Sequence, residues 1–253
     1  MRYFIRISFD GSLYGGWQIQ RNASSIQAAL TRALTLYFKE PIEVYGAGRT
    51  DAGVHAINYI AHFDANNVDL QKEHIPYAYK LNAILPHDIC VHAITPVHQE
   101  AHARFDALSR TYRYYLHFNK NPFVLSFSTF CPYPLDLNAM NRAASFLLGT
   151  HDFTSFTKLH GNNKTSECTV TKALCTPIKS DFLSGIVFEI TANRFLRNMV
   201  RAITGTLIDV GRDKIMPEEI PHILQQKSRS AAGNSVSAQG LFLYQIDYPF
   251  RVL

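Results

Sequence analysis

The sequence lacks several features that would indicate a membrane or secreted protein. It contains no run of about 18 apolar residues, so it predicts no transmembrane helix. Its first residues, MRYFIRISFDGS, are charged and alternating and do not resemble a secretory signal peptide. The four cysteines lie far apart with no Cys-x-x-Cys pair, which argues against a zinc ribbon or a disulfide framework. We therefore expect a cytoplasmic protein with reduced thiols and no membrane partner.

Charged residues are also scarce, and their balance is positive. They make up 18% of the chain, whereas hydrophobic residues make up 47%, so wholesale disorder is not expected and a sizeable core can form. A length of 253 residues suits one large domain or two modest ones. The formal net charge of +5 weakly favours a polyanionic partner.

Hydrophobic periodicity predicts strands and helices that follow one another in two halves. In the first half, RYFIRISFDG and VHAINYIAHFD alternate as strands do, and SSIQAALTRALTLYFKE has the spacing of an amphipathic helix capped by Ser24 and Gln27. A helix over about 70–81 and a strand over about 89–96 follow. In the second half, SRTYRYYLHFN, TVTKALCTPIK and FLSGIVFEIT predict strands, and residues 194–211 predict a helix.

The order of these elements predicts an α+β fold. Strand, helix, two strands, helix and strand occur in each half, which suggests two ferredoxin-like halves with mainly antiparallel sheets. We place the first half at residues 1–105 and the second at residues 106–253. Two packed halves leave a central cleft, which is a common position for a functional site.

One stretch of the first half, AGRTDAGVHA at residues 47–56, sets Arg49 and Asp51 among small residues. A phosphate-binding loop is disfavoured because Val54 and His55 stand where Lys and Ser or Thr are required. A metal site is disfavoured because the scattered histidines form no H-E-x-x-H pattern. A plain turn is possible, since Gly and Asp favour turns. The remaining alternative is that Asp51 is a nucleophile or base kept ionised by a nearby cation.

Two arginine-rich stretches supply candidate cations and candidate contacts to RNA. NRFLRNMVRAI predicts a helix with Arg194, Arg197 and Arg201 on one face, although a solvated face explains the same spacing. RTYRYYLHF interleaves arginine with tyrosine on a strand, and these residue types stack on and pair with RNA. An ordinary strand with one core face is the alternative for that stretch.

Taken in order, these motifs resemble the tRNA pseudouridine synthase A family. GRTDAGVHA at residues 48–56 is similar to the most specific motif of the family. The resemblance covers nearly the entire chain. It extends over the following further stretches: YGGWQIQ, NAILP, HARFDALSRTYRYYL, LLGTHDFTSF, ITANRFLRNMVRAITGTLIDVG and AQGLFLYQIDYP.

The resemblance implies an isomerase that converts uridine to pseudouridine at nucleotides 38 to 40 of the tRNA anticodon stem-loop, without a cofactor or metal. It implies a homodimer with a positively charged cleft. Motif matching makes Asp51 the nucleophile, attacking C6 of uracil or C1′ of ribose, and Arg201 its ion-pair partner. It also assigns Arg49 to RNA near the flipped nucleotide, Tyr112 to stacking on the target base, and Leu241 to packing against that base.

Three other functions are compatible with parts of the sequence. The first is an RNA-binding protein without catalysis, although binding alone does not need the carboxylate of Asp51. The second is a pseudouridine synthase with a different RNA target. The third is a purely structural α+β module, which leaves the GRTDAGVHA stretch unexplained.

Overall fold

The computed structural model describes residues 1–66, 76–158 and 165–252. Its strands are β1 (Arg2–Phe9), β2 (Tyr45–Gly46), β3 (His55–Asp64), β4 (Ile89–Val97), β5 (Ser109–His117), β6 (Thr129–Phe130), β7 (Gly149–Asp152), β8 (Glu167–Lys179), β9 (Ser184–Ala192) and β10 (Leu241–Asp247). Its α-helices are α1 (Ile26–Phe38), α2 (Tyr77–Ile84), α3 (Leu137–Ser145), α4 (Met199–Gly211) and α5 (Glu219–Gln226). Among the described residues, no helix is long and apolar enough to cross a membrane.

The chain divides into two compact units, of which the first comprises Met1–Leu108 and Leu243–Leu253. Its strands are ordered β4-β1-β3-β10, and β1 pairs antiparallel with both β3 and β4. The short β2 pairs antiparallel with the end of β3, which holds residues 45 and 46 beside residues 61 and 62. The apolar face of α1 is buried, and Phe38 at its end packs against Phe63 of β3 with ring centroids 5.7 Å apart.

The second unit comprises Ser109–Phe242. Its strands are ordered β5-β9-β8-β7 with antiparallel pairing, and the short β6 runs parallel to β5. Helix α3 is joined to β8 by two hydrogen bonds between the side chain of Asn141 and the backbone of Cys175, of 2.7 and 2.9 Å. Helix α4 is buried along most of its length because its apolar and small residues face the interior of the unit.

The predicted α+β class is confirmed, since helices accompany a mostly antiparallel sheet. The ferredoxin-like character of each half stays a prediction. The predicted division into residues 1–105 and 106–253 also stays a prediction about domains. The compact units differ from it because residues 243–253 group with the N-terminal strands.

Two local predictions were wrong. Helix α1 is capped by Ser25, not Ser24: the Oγ atom of Ser25 accepts from the backbone N–H of Ala28, at 3.3 Å. Helix α4 begins at Met199, so Arg194 and Arg197 precede it and do not share a helix face with Arg201. The first part of the helix expected over 70–81 lies outside the described residues, and α2 is observed over Tyr77–Ile84.

Candidate active site

The predicted site residues fall in both compact units. Arg49 and Asp51 lie in the first unit, on the loop between β2 and β3. Tyr112, Arg201 and Leu241 lie in the second unit, on β5, in the first turn of α4 and at the start of β10. The structure thus places two of the predicted residues in the first unit and three in the second.

The loop that carries Asp51 is anchored on its β2 side by Tyr59. The backbone N–H of Ala47 donates to the carbonyl of Ile60 at 2.9 Å, which continues the pairing of β2 with β3. The hydroxyl of Tyr59 then donates to the carbonyl of Gly48. The ring of Tyr59 is completely buried and stacks on Trp17, with centroids 4.2 Å apart. A buried aromatic side chain therefore fixes the backbone immediately before Arg49.

The loop is braced along its length by residues 11–17, which form the glycine-rich stretch after β1. The N–H of Trp17 donates to the carbonyl of Thr50 at 3.4 Å, and the N–H of Gly53 donates to the carbonyl of Tyr14 at 3.3 Å. Gly16 has a φ of +102° and lies directly against the carbonyl of Thr50, where a Cβ atom does not fit. Glycine is needed at this position for both reasons.

Within the loop, residues 51–54 form a tight turn. The N–H of Val54 donates to the carbonyl of Asp51 at 3.2 Å, and Gly53 adopts a φ of +77°. Nδ1 of the buried His55 accepts from the N–H of Gly11 at 3.1 Å, which ties the end of the turn to the end of β1. The predicted turn is therefore observed, and the role of Asp51 stays a prediction.

The side chains of this loop differ in their exposure. Arg49 is exposed, Asp51 is half-buried and Thr50 is buried. The Oγ1 atom of Thr50 has no hydrogen-bond partner within the described part of the chain. A half-buried carboxylate on a rigid backbone can reach a bound molecule without leaving its position, which is what a nucleophile or base requires.

The second unit holds Arg201 through the segment that follows α5. Nε of Arg201 donates to the carbonyl of Val236 at 2.8 Å, and the N–H of Val236 donates to the carbonyl of Arg201 at 3.2 Å. The same segment is held by Asn198, whose side-chain amide donates to Oγ of Ser235 at 2.6 Å, and by Arg229, which donates to that oxygen at 2.8 Å. Arg201 is half-buried, and the hydrogen bond to Val236 orients its guanidinium.

The sequence did not predict the roles of Asn198, Arg229 and Ser235. Asn198 adopts a φ of +68° directly before α4, a conformation that asparagine tolerates better than most residues. The residue type of Asn198 was the only local signal in the sequence for its role. Arg229 and Ser235 stand in a stretch without periodicity, and only the folded chain places them beside Arg201.

Tyr112 and Leu241 are positioned by β5 and by the turn that precedes β10. Tyr112 is half-buried, and its ring meets Phe195 edge to face, with centroids 5.0 Å apart. Leu241 is buried and follows the short turn Ala238–Gly240. The hydroxyl of Tyr114 donates to the carbonyl of Ser237 at 2.8 Å, which fixes the turn to β5. Tyr114 is a core residue, which agrees with the alternative of an ordinary strand with one core face, and it also anchors this turn.

Comparison with known proteins gives a consistent result over the whole chain. Residues 143–249 match the model of a family described as tRNA pseudouridine synthase. A tRNA pseudouridine synthase A of Bacteroides fragilis is 47% identical over 251 residues, which are 99% of this chain and 98% of that protein. The protein of the same name from Bacteroides thetaiotaomicron is 46% identical over 98% of this chain and 91% of its own length. The protein of that name from Aliivibrio fischeri is 41% identical over 99% of this chain and 94% of its own length.

Proposed function

The chain belongs to the tRNA pseudouridine synthase A family, and we propose that it isomerises uridine to pseudouridine at nucleotides 38 to 40 of the tRNA anticodon stem-loop, with Asp51 as the nucleophile. It is an isomerase that acts on tRNA. The observation that supports the assignment of Asp51 is the geometry of the GRTDAGVHA loop, in which a half-buried Asp51 stands on a backbone held by Tyr59, Trp17 and Tyr14.

The reaction rearranges bonds without an external reactant. The bond between N1 of uracil and C1′ of ribose breaks, the base turns over, and a bond forms between C5 and C1′. C5 loses its proton and N1 gains one, so the product has the same atoms as the substrate. Asp51 adds either to C6 of the ring or to C1′ of the ribose, and this bond breaks again as the product forms, which returns the electron pair to the carboxylate. Both routes need the carboxylate of Asp51 to be ionised.

Arg201 is proposed as the cation that keeps Asp51 ionised. A cation within about 4–6 Å of a carboxylate favours its charged form. The hydrogen bond from Arg201 to Val236 supports this role because it fixes the direction of the guanidinium.

Arg49, Tyr112 and Leu241 are proposed to hold the nucleotide that leaves the helical stem. A base inside a stem is out of reach until it is flipped out, which costs a few kcal/mol. The exposed Arg49 offers a charged contact to the RNA backbone, and the half-buried ring of Tyr112 offers a stacking surface. Leu241 adds an apolar contact.

The first experiment is tritium release from tRNA that carries uridine labelled at C5, with wild type and Asp51→Ala in parallel. We expect release by wild type and a rate lowered roughly 10³-fold or more in the variant, because a nucleophile is lost. Asp181→Ala is the matched control, since it removes an exposed aspartate from the β8–β9 turn. Normal turnover by Asp51→Ala contradicts the nucleophile assignment.

The position of the modified nucleotides needs a separate measurement. Transcripts that retain a uridine at only one of positions 38, 39 or 40 are expected to release tritium, and transcripts without uridine at all three are not. Tritium release from transcripts without uridine at all three positions would favour a related synthase with a different target. Tight, salt-sensitive tRNA binding without any release would favour an RNA-binding protein without catalysis.

The family resemblance also leads us to propose a homodimer in the cytoplasm. Light scattering on the purified protein measures its mass directly, and a monomer at micromolar concentration contradicts the proposed homodimer. Fractionation of the source cells tests the proposed cytoplasmic location.

A further inference from the structure

Four rings contact one another in succession on the first unit, outside the GRTDAGVHA loop: one outer pair is stacked, the middle pair meets edge to face, and the other outer pair is tilted by 34°. We call Tyr45, His62, His102 and Phe105 the aromatic stack. The centroids of Phe105 and His102 lie 4.2 Å apart, those of His102 and His62 4.5 Å apart, and those of His62 and Tyr45 5.1 Å apart. His62 in the middle is buried, whereas Phe105 and Tyr45 at the ends are 73% and 48% exposed. The stack therefore presents one ring to solvent at each end.

The exposed ring of Phe105 is held by an ordered turn. The N–H groups of Arg104 and Phe105 both donate to Nδ1 of His102, at 3.1 and 3.3 Å. The N–H of His102 donates to Oδ2 of Asp106 at 2.8 Å, and the N–H of Asp106 donates to the carbonyl of His102 at 3.1 Å. Because the turn and the ring of His102 are fixed, Phe105 loses little conformational freedom when another ring packs on it.

The two ends of the aromatic stack differ in charge. At the Phe105 end, the exposed guanidinium of Arg104 lies 5.7 Å from the ring centroid. At the other end, the hydroxyl of Tyr45 donates to the carboxylate of Glu43 at 2.5 Å. A phosphate is attracted to the first end and repelled from the second. The carboxylate of Asp106 belongs to the same turn, and one of its oxygens accepts from the backbone N–H of His102.

The two histidines do not add charge to the stack at neutral pH. Burial, followed by the positive charge of a protonated His102, lowers the pKa of His62 to about 4. Burial is also the largest cause that lowers the pKa of His102. The rings are thus neutral, and the Phe105 end combines an apolar ring face with the adjacent guanidinium of Arg104. Exposed aromatic rings beside arginine are what single-stranded RNA stacks on.

We propose that Phe105 and Arg104 form a second RNA-binding site, which stacks one unpaired nucleobase of the tRNA and contacts its phosphate. This inference rests on the proposed function, since it takes the same tRNA as ligand. The base is not the uridine that reacts. The rings of the aromatic stack belong to β2, β3 and the segment between β4 and β5, and none of them belongs to the loop that carries Asp51.

The experiment compares Phe105→Leu with Phe105→Tyr, using unlabelled tRNA for Kd and C5-tritiated tRNA for KM. Leucine keeps the apolar character but removes the stacking face, so we expect Kd and KM to rise roughly tenfold. Tyrosine keeps the ring, so its values are expected to stay near those of wild type. Phe182→Leu is the control, since Phe182 is 68% exposed in the second unit. Equal Kd values for wild type and Phe105→Leu overturn the proposal.

The role of Arg104 is tested by the salt dependence of binding. We expect Arg104→Gln to lower the slope of log Kd against log salt by about 0.7–0.9, the value for one phosphate contact. Phe105→Leu is expected to leave the slope unchanged. A slope that does not move in Arg104→Gln overturns the phosphate contact.

The same variants separate this proposal from its rivals. A change of mass in Phe105→Leu, measured by light scattering, would show that the ring serves contact between copies of the chain and would overturn RNA stacking. If wild type released no tritium, the proposed function would fail, whereas the Kd comparison would still decide whether Phe105 binds RNA.

Discussion

The hydroxyl of Tyr14 donates a hydrogen bond of 2.7 Å to Oδ1 of Asp88, and the carbonyl of Tyr14 accepts from the N–H of Gly53. One residue thus connects the start of β4 to the turn that follows Asp51. Burial and the Asp88 carboxylate both raise the pKa of the Tyr14 phenol, so it stays a donor throughout the physiological range.

Removing this hydroxyl should lower turnover more than it lowers stability. In Tyr14→Phe we expect the free energy of unfolding to fall by about 1 kcal/mol, and turnover to fall further because Gly53 and Asp51 lose their fixed position. Denaturant titration and tritium release measure the two effects. Asp88→Asn keeps an acceptor oxygen and should behave nearly like wild type. Full turnover by Tyr14→Phe would show that the loop needs no such anchor.

Replacement by alanine should destabilise the protein at one glycine near Asp51 and leave its stability unchanged at another. Gly16→Ala places a Cβ against the carbonyl of Thr50 at a φ of +102°, so we expect a loss of about 2 kcal/mol or more and a displaced loop. Gly48 has open space where a Cβ would lie. Gly48→Ala should therefore fold with wild-type stability, and equal stabilities of the two variants would contradict the packing described here.

Replacing Arg201 should lower turnover much more than it lowers stability. Arg201→Ala removes the donor to the carbonyl of Val236, which costs about 1 kcal/mol, and removes the proposed counter-charge of Asp51. Arg142→Ala is a matched control because the pair of Arg142 with Glu218 is solvent-exposed and contributes about 0–1 kcal/mol. Parallel tritium release and thermal unfolding check the contrast. Comparable turnover in both variants argues against a role for Arg201.

His62 should make the protein less stable in mild acid. Its pKa is about 4 in the folded protein and 6.5 in the unfolded chain, so the unfolded state binds the proton first as the pH falls. Stability from the neutral ring is complete above pH 6.5 and is lost as the pH falls towards 4. The loss is on the order of 3 kcal/mol, at about 1.4 kcal/mol per unit of pKa.

The matching variant is His62→Asn, whose Oδ1 can accept from the N–H of Ala103 as Nδ1 does. We expect a flatter decline of unfolding free energy between pH 6.5 and 4 than in wild type, measured by urea titration at each pH. His87→Asn, at an exposed position, serves as the control. Identical slopes in His62→Asn and wild type would mean that His62 titrates as freely in the folded protein as in the unfolded chain.

Much of the secondary structure could be predicted from local patterns, because burial of one face imposes a period of two on strands and 3.6 on helices. The start of α4 could not be predicted in this way. The apolar pattern continues back to Phe195, but the carbonyl of Arg197 accepts from the N–H of Lys158 and from Oγ1 of Thr157. These long-range hydrogen bonds hold the chain outside the helix, and no periodicity within 194–211 reports them.

The sequence by itself determined the class of fold, the chemically unusual loop around Asp51 and the family, because these depend on residue types that are adjacent in the chain. The tertiary structure alone decided that residues 243–253 join the N-terminal strands, that Tyr14 meets Asp88, and that Val236 holds Arg201. It also assembled the aromatic stack from residues 45, 62, 102 and 105. Contacts between residues this far apart in sequence arise only when the strands pair and the core closes, so no local pattern encodes them.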